Sequence, residues 1–379
     1  MKAAVLTGIR KVEMQQVSDP SLPLGTDAFL RVLAVGLCGS DIQYYSTGRI
    51  GGNVVNYPFI VGHECVAEVE AVGSQVTRIQ PGDRVVIDPA VTCGTCDQCI
   101  LGRLNTCRNL LFLGCPGQLE GCLTEFVIMP ESNCYPLEKN SKIERSILVE
   151  PLSIGIYSIQ LLGESHAAAI AILGSGPIGL SVALVASDKG IPRIYMTDKI
   201  DERLEAAQKA GSIWAGNPEE SDIIEDVKTL EPRGLDAVFE CCGDQDALDQ
   251  AVELLKPGGK LMIVGIPETD LVSFDLHKLR RKEIMVQNVR RQRNCIPEAI
   301  DLIETQKVDV DFMVTHTFSL EGTQDAFELV EHYRDGVIRP SSNPIRSRRC
   351  SRDDIFGQGV QLRARSLTVF GRLLLKPKG

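Results

Sequence analysis

The chain has 379 residues, 44% of them hydrophobic, and its 40 Lys and Arg against 50 Asp and Glu leave a net charge of −10 at pH 7. That length exceeds one ordinary domain and suits two with a cleft between them. The acidic balance argues against nucleic-acid or anionic-membrane binding by the chain as a whole, so small or uncharged partners are expected.

The amino-terminal run "MKAAVLTGIRKVE" is too short in apolar residues for the core of a signal peptide. The longest apolar stretch, "AAAIAILGSGPIGLSVALVA", is broken by Gly, Ser and Pro and reads as strand, turn and helix rather than a membrane span. A cytoplasmic protein is expected, and in that reducing setting thirteen cysteines suit metal binding better than disulfides.

Residues 1–152 are rich in short alternating runs such as "AFLRVLAVG", "ECVAEVEAVG" and "GDRVVIDP", bounded by turn residues, and predict a mostly β domain with a lobe at about 89–110. Over 153–291, strand-like runs ("AIAILG", "RIYMTD", "LDAVFECCG", "KLMIVGIP") alternate with helical ones ("PIGLSVALVASDKG", "DERLEAAQKAG", "DALDQAVELLKPGG"). That alternation predicts an α/β fold with a doubly wound parallel sheet. In 292–340, "IPEAIDLIETQKV" and "EGTQDAFELVEHYRDG" read as amphipathic helices returning to the first domain. From Ser341 to Gly379, nine Lys or Arg face two Asp, and the lack of apolar periodicity reads as a poorly ordered basic tail.

Cys93, Cys96, Cys99 and Cys107 have the spacing C-x2-C-x2-C-x7-C, close enough for one loop to wrap a tetrahedral ion with four thiolates. The spacing and following Pro of a bacterial iron–sulfur run are absent, so a closed structural zinc site is favoured. A looser set joins Cys38 in "GLCGSD", His63 and Glu64 in "VGHE", and Glu150 in "LVEPLS". One thiolate, one imidazole and a carboxylate suit a zinc site with an open fourth position, the catalytic type. The remaining cysteines and His166, His277, His316 and His332 read as packing residues.

Gly174, Gly176 and Gly179 follow an apolar strand and precede a helix as G-x-G-x-x-G. The glycines permit a tight turn and close approach to a pyrophosphate at the helix amino end. Asp198 ends "RIYMTD" nineteen residues after Gly179, where a carboxylate can bind ribose hydroxyls and repel a 2′-phosphate, favouring NAD over NADP. The competing reading is that Asp198 caps the next helix.

Together these pieces resemble the zinc-dependent medium-chain dehydrogenases over roughly residues 1–340, and within them the polyol, sorbitol dehydrogenase-like branch. The telling match is "CGSDIQYYSTGRIG", "VGHE", "CGTCDQC", "LNTC", "VEPLSIG" and "GSGPIG" in that order. The resemblance implies a GroES-like catalytic domain, a Rossmann NAD-binding domain and two zinc ions per chain. It implies a catalytic zinc at Cys38, His63 and Glu64, with Glu150 at or just outside the ligand shell, Ser40 in the proton relay, and Tyr44 and Arg291 facing substrate. Ile178, Asp198 and Arg203 would meet the adenosine half of the cofactor or its phosphates, and Val264, Gly265 and Ile266 the nicotinamide. A homo-oligomer, dimer or tetramer, is expected with it.

Three departures stand out. Ala67 replaces a usual glycine near "GHE", Gln292 stands where polyol enzymes often carry tyrosine, and "DGVIRP" runs into the basic tail where a closing strand is usual. The expected reaction is reversible oxidation of a polyol's secondary alcohol. Alternatives are a threonine-type or simple secondary-alcohol dehydrogenase, an inactive zinc and NAD binder with a damaged terminus, and a zinc-ribbon-like nucleic-acid binder.

Overall fold

The computed structural model describes residues 1–163, 167–267 and 269–344. His166, Cys350 and the expected tail from residue 345 lie outside the described residues. Two sheets dominate the fold. In the first, strands Cys134–Pro136, Arg84–Ile87, Glu64–Val72, Asp27–Gly36, Arg339–Asn343 and Val314–Ser319 follow one another across the sheet, and Phe126–Pro130 also pairs with Asp27–Gly36. Apart from the parallel pair at the carboxyl end, its ladders are antiparallel, and buried residues such as Leu30, Val32, Val66 and Val85 form its core.

The second sheet is six-stranded and parallel, in the order Trp214–Gly216, Arg193–Thr197, Ala169–Leu173, Leu235–Glu240, Leu255–Ile263 and Met285–Asn288. All five residues of Ala169–Leu173 are buried, as a strand covered on both faces by helices requires. The chain reverses its direction of travel across the sheet between Ala169–Leu173 and Leu235–Glu240, and the crevice beyond the carboxyl ends of those strands is where such sheets bind ligands. The helix expected through "VELLKPGG" stops at Leu254 instead. Lys256 precedes Pro257, which disfavours helical backbone there, and Leu255–Ile263 runs as a strand.

Two findings revise the expected segmentation. The boundary placed after residue 152 falls inside a continuous helix, Val149–Leu162, which packs on Pro177–Asp188 so closely that a Cβ on Gly155 would sit 2.7 Å from the Ser181 carbonyl. Ser341, Ser342 and Asn343 are not tail. They belong to strand Arg339–Asn343, in which Ser341 and Ser342 are buried and pair with Gly36 and Val35. A closing strand is therefore present after "DGVI", encoded by Arg, Pro, Ser and Asn rather than by a β-branched run. Ala67 lies fully buried between Val32 and Val85 in the first sheet.

Candidate active site

The lobe cysteines converge. Their sulfurs lie 3.5 Å apart for Cys93 and Cys107, 3.6 Å for Cys96 and Cys99, 3.9 Å for Cys96 and Cys107, and 4.0 Å for Cys93 and Cys99. Thiolates about 2.3 Å from one tetrahedral ion have edges of about 3.8 Å, so the four suit a single zinc and leave no space for a multi-iron cluster. Backbone N–H groups of Thr95 and Cys96 pull the Cys93 thiol down to about 5, towards the ligating form. Glycines at 94 and 102, both at positive φ, turn the loop, and Arg108 pairs with Asp97 across it.

Cys38, His63 and Glu64 form the second cluster, each offering a ligand atom within 4.8 Å of the others. Cys38 caps helix Gly39–Thr47, and Asp41 closes the cap by accepting from the Cys38 N–H at 3.0 Å. The same buried carboxylate accepts from Gly62 N–H at 3.1 Å and lies 3.4 Å from His63 Nδ1, so it fixes the imidazole. Glu64, fully buried, pairs with Arg339 at 2.8 Å across the sheet, in an ion pair without an aligned hydrogen bond. A Cβ on Gly36 would lie 2.5 Å from Glu64 Oε2, so the neighbouring strand must carry glycine there.

Burial pushes the Cys38 thiol up, yet His63 outweighs it and holds it at about 7. Burial likewise opposes charge on His63, but Asp41 and Cys38 raise it well above its ordinary value. The Glu64 carboxyl is lifted to about 8 by burial against the pull of Arg339, and Glu150 to about 7 by burial and then the Glu64 charge. Burial thus holds Glu64 and Glu150 towards their protonated forms beside the buried Arg339, a divalent cation would draw these groups and Cys38 into their anionic, ligating forms, and the donor set is one zinc accepts. Glu150, in the first turn of Val149–Leu162, is not among the three within 4.8 Å and acts on them through charge.

Beside this cluster stands a wall of polar and aromatic groups. The Tyr44 hydroxyl is 3.7 Å from Cys115 Sγ, and the Arg291 guanidinium lies 3.7 Å over the Phe112 ring, itself 5.3 Å from the His63 ring. Arg291 Nη1 is buried with no hydrogen-bond partner. Burial, then Arg290, lowers its guanidinium to about 10. Ser40 is half-buried in the first turn after Cys38.

The glycine turn is a cradle. A Cβ on Gly179 would meet the Gly174 carbonyl at 1.9 Å, and Gly174 itself, at φ +98°, leans on Cys241 and Cys242. Gly176 caps helix Pro177–Asp188, and Ile178 is half-buried in its first turn. Arg203 faces the turn, its Nη1 3.6 Å from where a Gly176 Cβ would be, and its Nε is buried without a partner. A phosphate is the natural occupant of that seat. Asp198 accepts from Ser175 N–H at 2.8 Å and Ile200 N–H at 3.1 Å, while the residue capping helix Asp201–Lys209 is Ile200. It therefore ties strand to glycine turn rather than capping the helix. Val264 and Gly265 are half-buried and Ile266 is exposed, next to loop Cys241–Gly243.

Several contributors escape a reading of the sequence. Asp41 stands inside "CGSD" at capping-box spacing, a signal that was available. Arg339, Phe112 and Asn105 carry no local signal, because their partners are remote in the chain. Cys115, read as packing, touches the Tyr44 hydroxyl, and Cys242, His277 and His332 are exposed rather than packed.

The family profile described as alcohol dehydrogenase GroES-like domain matches residues 25–139, and the one described as zinc-binding dehydrogenase matches 177–305. Sorbitol dehydrogenase of Bacillus subtilis is 36% identical over 347 residues, covering 91% of this chain and 98% of that protein. Among solved structures, a zinc-binding dehydrogenase from Sinorhizobium meliloti bound to NADP aligns with a TM-score of 0.83 at 27% identity. An Escherichia coli alcohol dehydrogenase complexed with NADH aligns at 0.82 and 25%, and each alignment covers 90% of this chain and 99% of the other. The two sheets and the two donor clusters define a zinc-dependent dehydrogenase. The chain belongs to the zinc-containing medium-chain alcohol dehydrogenases, with sorbitol dehydrogenases among its relatives. Among the described residues no helix is long and apolar enough to cross a membrane.

Proposed function

We propose that the protein reversibly oxidises a secondary alcohol of a polyol or sugar alcohol to the ketone, with NAD as hydride acceptor. The observation that carries this reading is the orphaned Arg291 Nη1, stacked over Phe112 next to the His63 ring and near enough to the Tyr44 hydroxyl to act on its charge. Two polar groups flanking the reacting position suit a substrate with hydroxyls beyond the one oxidised. Zinc held by Cys38, His63 and Glu64 supplies Lewis acidity towards that hydroxyl oxygen, and NAD bound over the glycine turn supplies the acceptor.

The chain's own residues then divide the labour. Asp41 fixes His63, Arg339 favours the anionic form of Glu64 against the penalty of its burial, and Ser40 offers a hydroxyl through which the alcohol proton leaves the buried site. Arg291 and Tyr44 orient the neighbouring hydroxyls. Asp198 and Arg203 support the ribose and pyrophosphate, and the Asp198 carboxylate favours NAD over its 2′-phosphorylated form. An assembly of two or four copies agrees with the exposed edge strand Met285–Asn288, where Met285 is 56% exposed.

A panel of polyols, threonine and simple secondary alcohols against NAD and NADP, followed at the nicotinamide absorbance, tests the reading. Polyol turnover with NAD is expected. Preference for threonine or for 2-butanol would move the protein to another substrate class.

A further inference from the structure

Arg291 is a non-glycine residue at φ +53°, a left-handed backbone that costs roughly 1–2 kcal/mol and persists only where surroundings impose it. What imposes it lies on both sides. On one side Asn105, 4% exposed, donates from Nδ2 to the Arg290 carbonyl at 2.9 Å, and its own carbonyl accepts from Arg290 Nε at 3.3 Å. On the other, Gln292 donates to Asp88 Oδ2 at 2.9 Å and accepts from Cys295 N–H at 2.8 Å. Asn105 sits two residues before the lobe cysteine Cys107, within the short 3-10 turn Leu104–Thr106. Its Nδ2 also reaches the hydroxyl of Tyr157 at 3.2 Å, on the helix whose first turn carries Glu150.

We infer that Asn105 is a positioning residue through which the four-cysteine lobe holds Arg291 against Phe112 and so sets the affinity for a hydroxyl-rich substrate. The inference rests on the proposed role of Arg291 as a substrate contact. Arg290 and Arg291 leave the parallel sheet just after Met285–Asn288, whereas Asn105 and Asp88 belong to the catalytic domain. A closed zinc site that touches no substrate thereby acquires a functional consequence: it fixes one jaw of the clamp that aims the guanidinium. Gln292 makes the other jaw.

The test compares Asn105→Ala and Gln292→Ala in the zinc-loaded protein. Each loses one jaw. Amide hydrogen exchange of residues 289–294 is expected to quicken about tenfold, the scale of one buried hydrogen bond, while metal content stays at two zinc ions per chain. KM for the best alcohol of the panel is expected to rise by a similar factor with kcat little changed, and Asn105→Ala is expected to add nothing to KM in an Arg291→Ala background. Unchanged exchange at 289–294 in both variants overturns the inference, as does an equal fall of kcat and kcat/KM. If Asn105→Ala releases lobe zinc, Gln292→Ala, which leaves the lobe intact, decides. The exchange readout uses no substrate, so absence of polyol turnover by the wild-type chain sinks the substrate class while the clamp is still judged.

Discussion

Asp41 and Glu150 show how single buried carboxylates shape the Cys38 cluster from outside its three donors. Asp41 makes contact with Cys38 N–H, Gly62 N–H and the His63 ring, so one side chain organises two of the three clustered donors. Asp41→Asn keeps the shape and removes the charge that holds His63 in place. Zinc affinity at the Cys38 cluster is expected to fall about 10- to 100-fold, read by competition with a coloured chelator, with the lobe zinc retained. Glu150 is held at about 7, above its ordinary 4.5, by burial and the Glu64 charge. In metal-free protein the folded state then keeps a proton that the unfolded chain releases between those values. This contribution is complete below about pH 4.5 and is lost as the pH rises through about 7. Glu150→Gln is expected to flatten that part of the curve of melting temperature against pH, and an unaltered slope would refute the assignment.

Elements were legible where periodicity is long or chemistry is local. Strands such as Glu64–Val72 and helices such as Pro177–Asp188 announce themselves by alternation and by glycine punctuation. Strand Trp214–Gly216 and the helix Ile223–Leu230 between it and Leu235–Glu240 did not, since a three-residue strand carries no period. Strand Arg339–Asn343 was hidden because Arg, Pro and Ser in a sheet make sense only beside Glu64 and Gly36. The glycine turn is the opposite case, with its geometry written in its spacing. Gly179→Ala puts a methyl group 1.9 Å from the Gly174 carbonyl, so the helix must move away from the turn. NADH binding, followed by nicotinamide fluorescence, is expected to weaken at least tenfold while zinc content holds at two per chain. Wild-type binding would show that the turn is not the phosphate seat.

Across the whole molecule, the motifs that could be read were those whose residues are near one another in sequence, and the supports that could not be read join distant segments. The four lobe cysteines span fifteen positions, whereas Glu64 meets Arg339 275 residues later and Asn105 meets Arg290 185 residues later. Arg339 is the sharpest case. It is 1% exposed, arrives on the last described strand, donates to the Leu37 carbonyl beside Cys38, and pairs with Glu64. Removing one partner of a buried ion pair leaves a desolvated charge and costs about 3–5 kcal/mol, while replacing both by well-packed neutral groups is often close to neutral. Arg339→Met is therefore expected to lower the denaturant midpoint markedly and to weaken zinc at the Cys38 cluster, because Glu64 loses the charge that opposes its protonation. Pairing it with Glu64→Gln is expected to restore much of the stability but not the zinc. Chemical denaturation with metal analysis on the two single variants and the double variant completes the cycle. Additive losses of stability would mean that Arg339 serves the sheet alone, and an excess recovered in the double variant would mean that this last described strand serves to hold the Glu64 carboxylate.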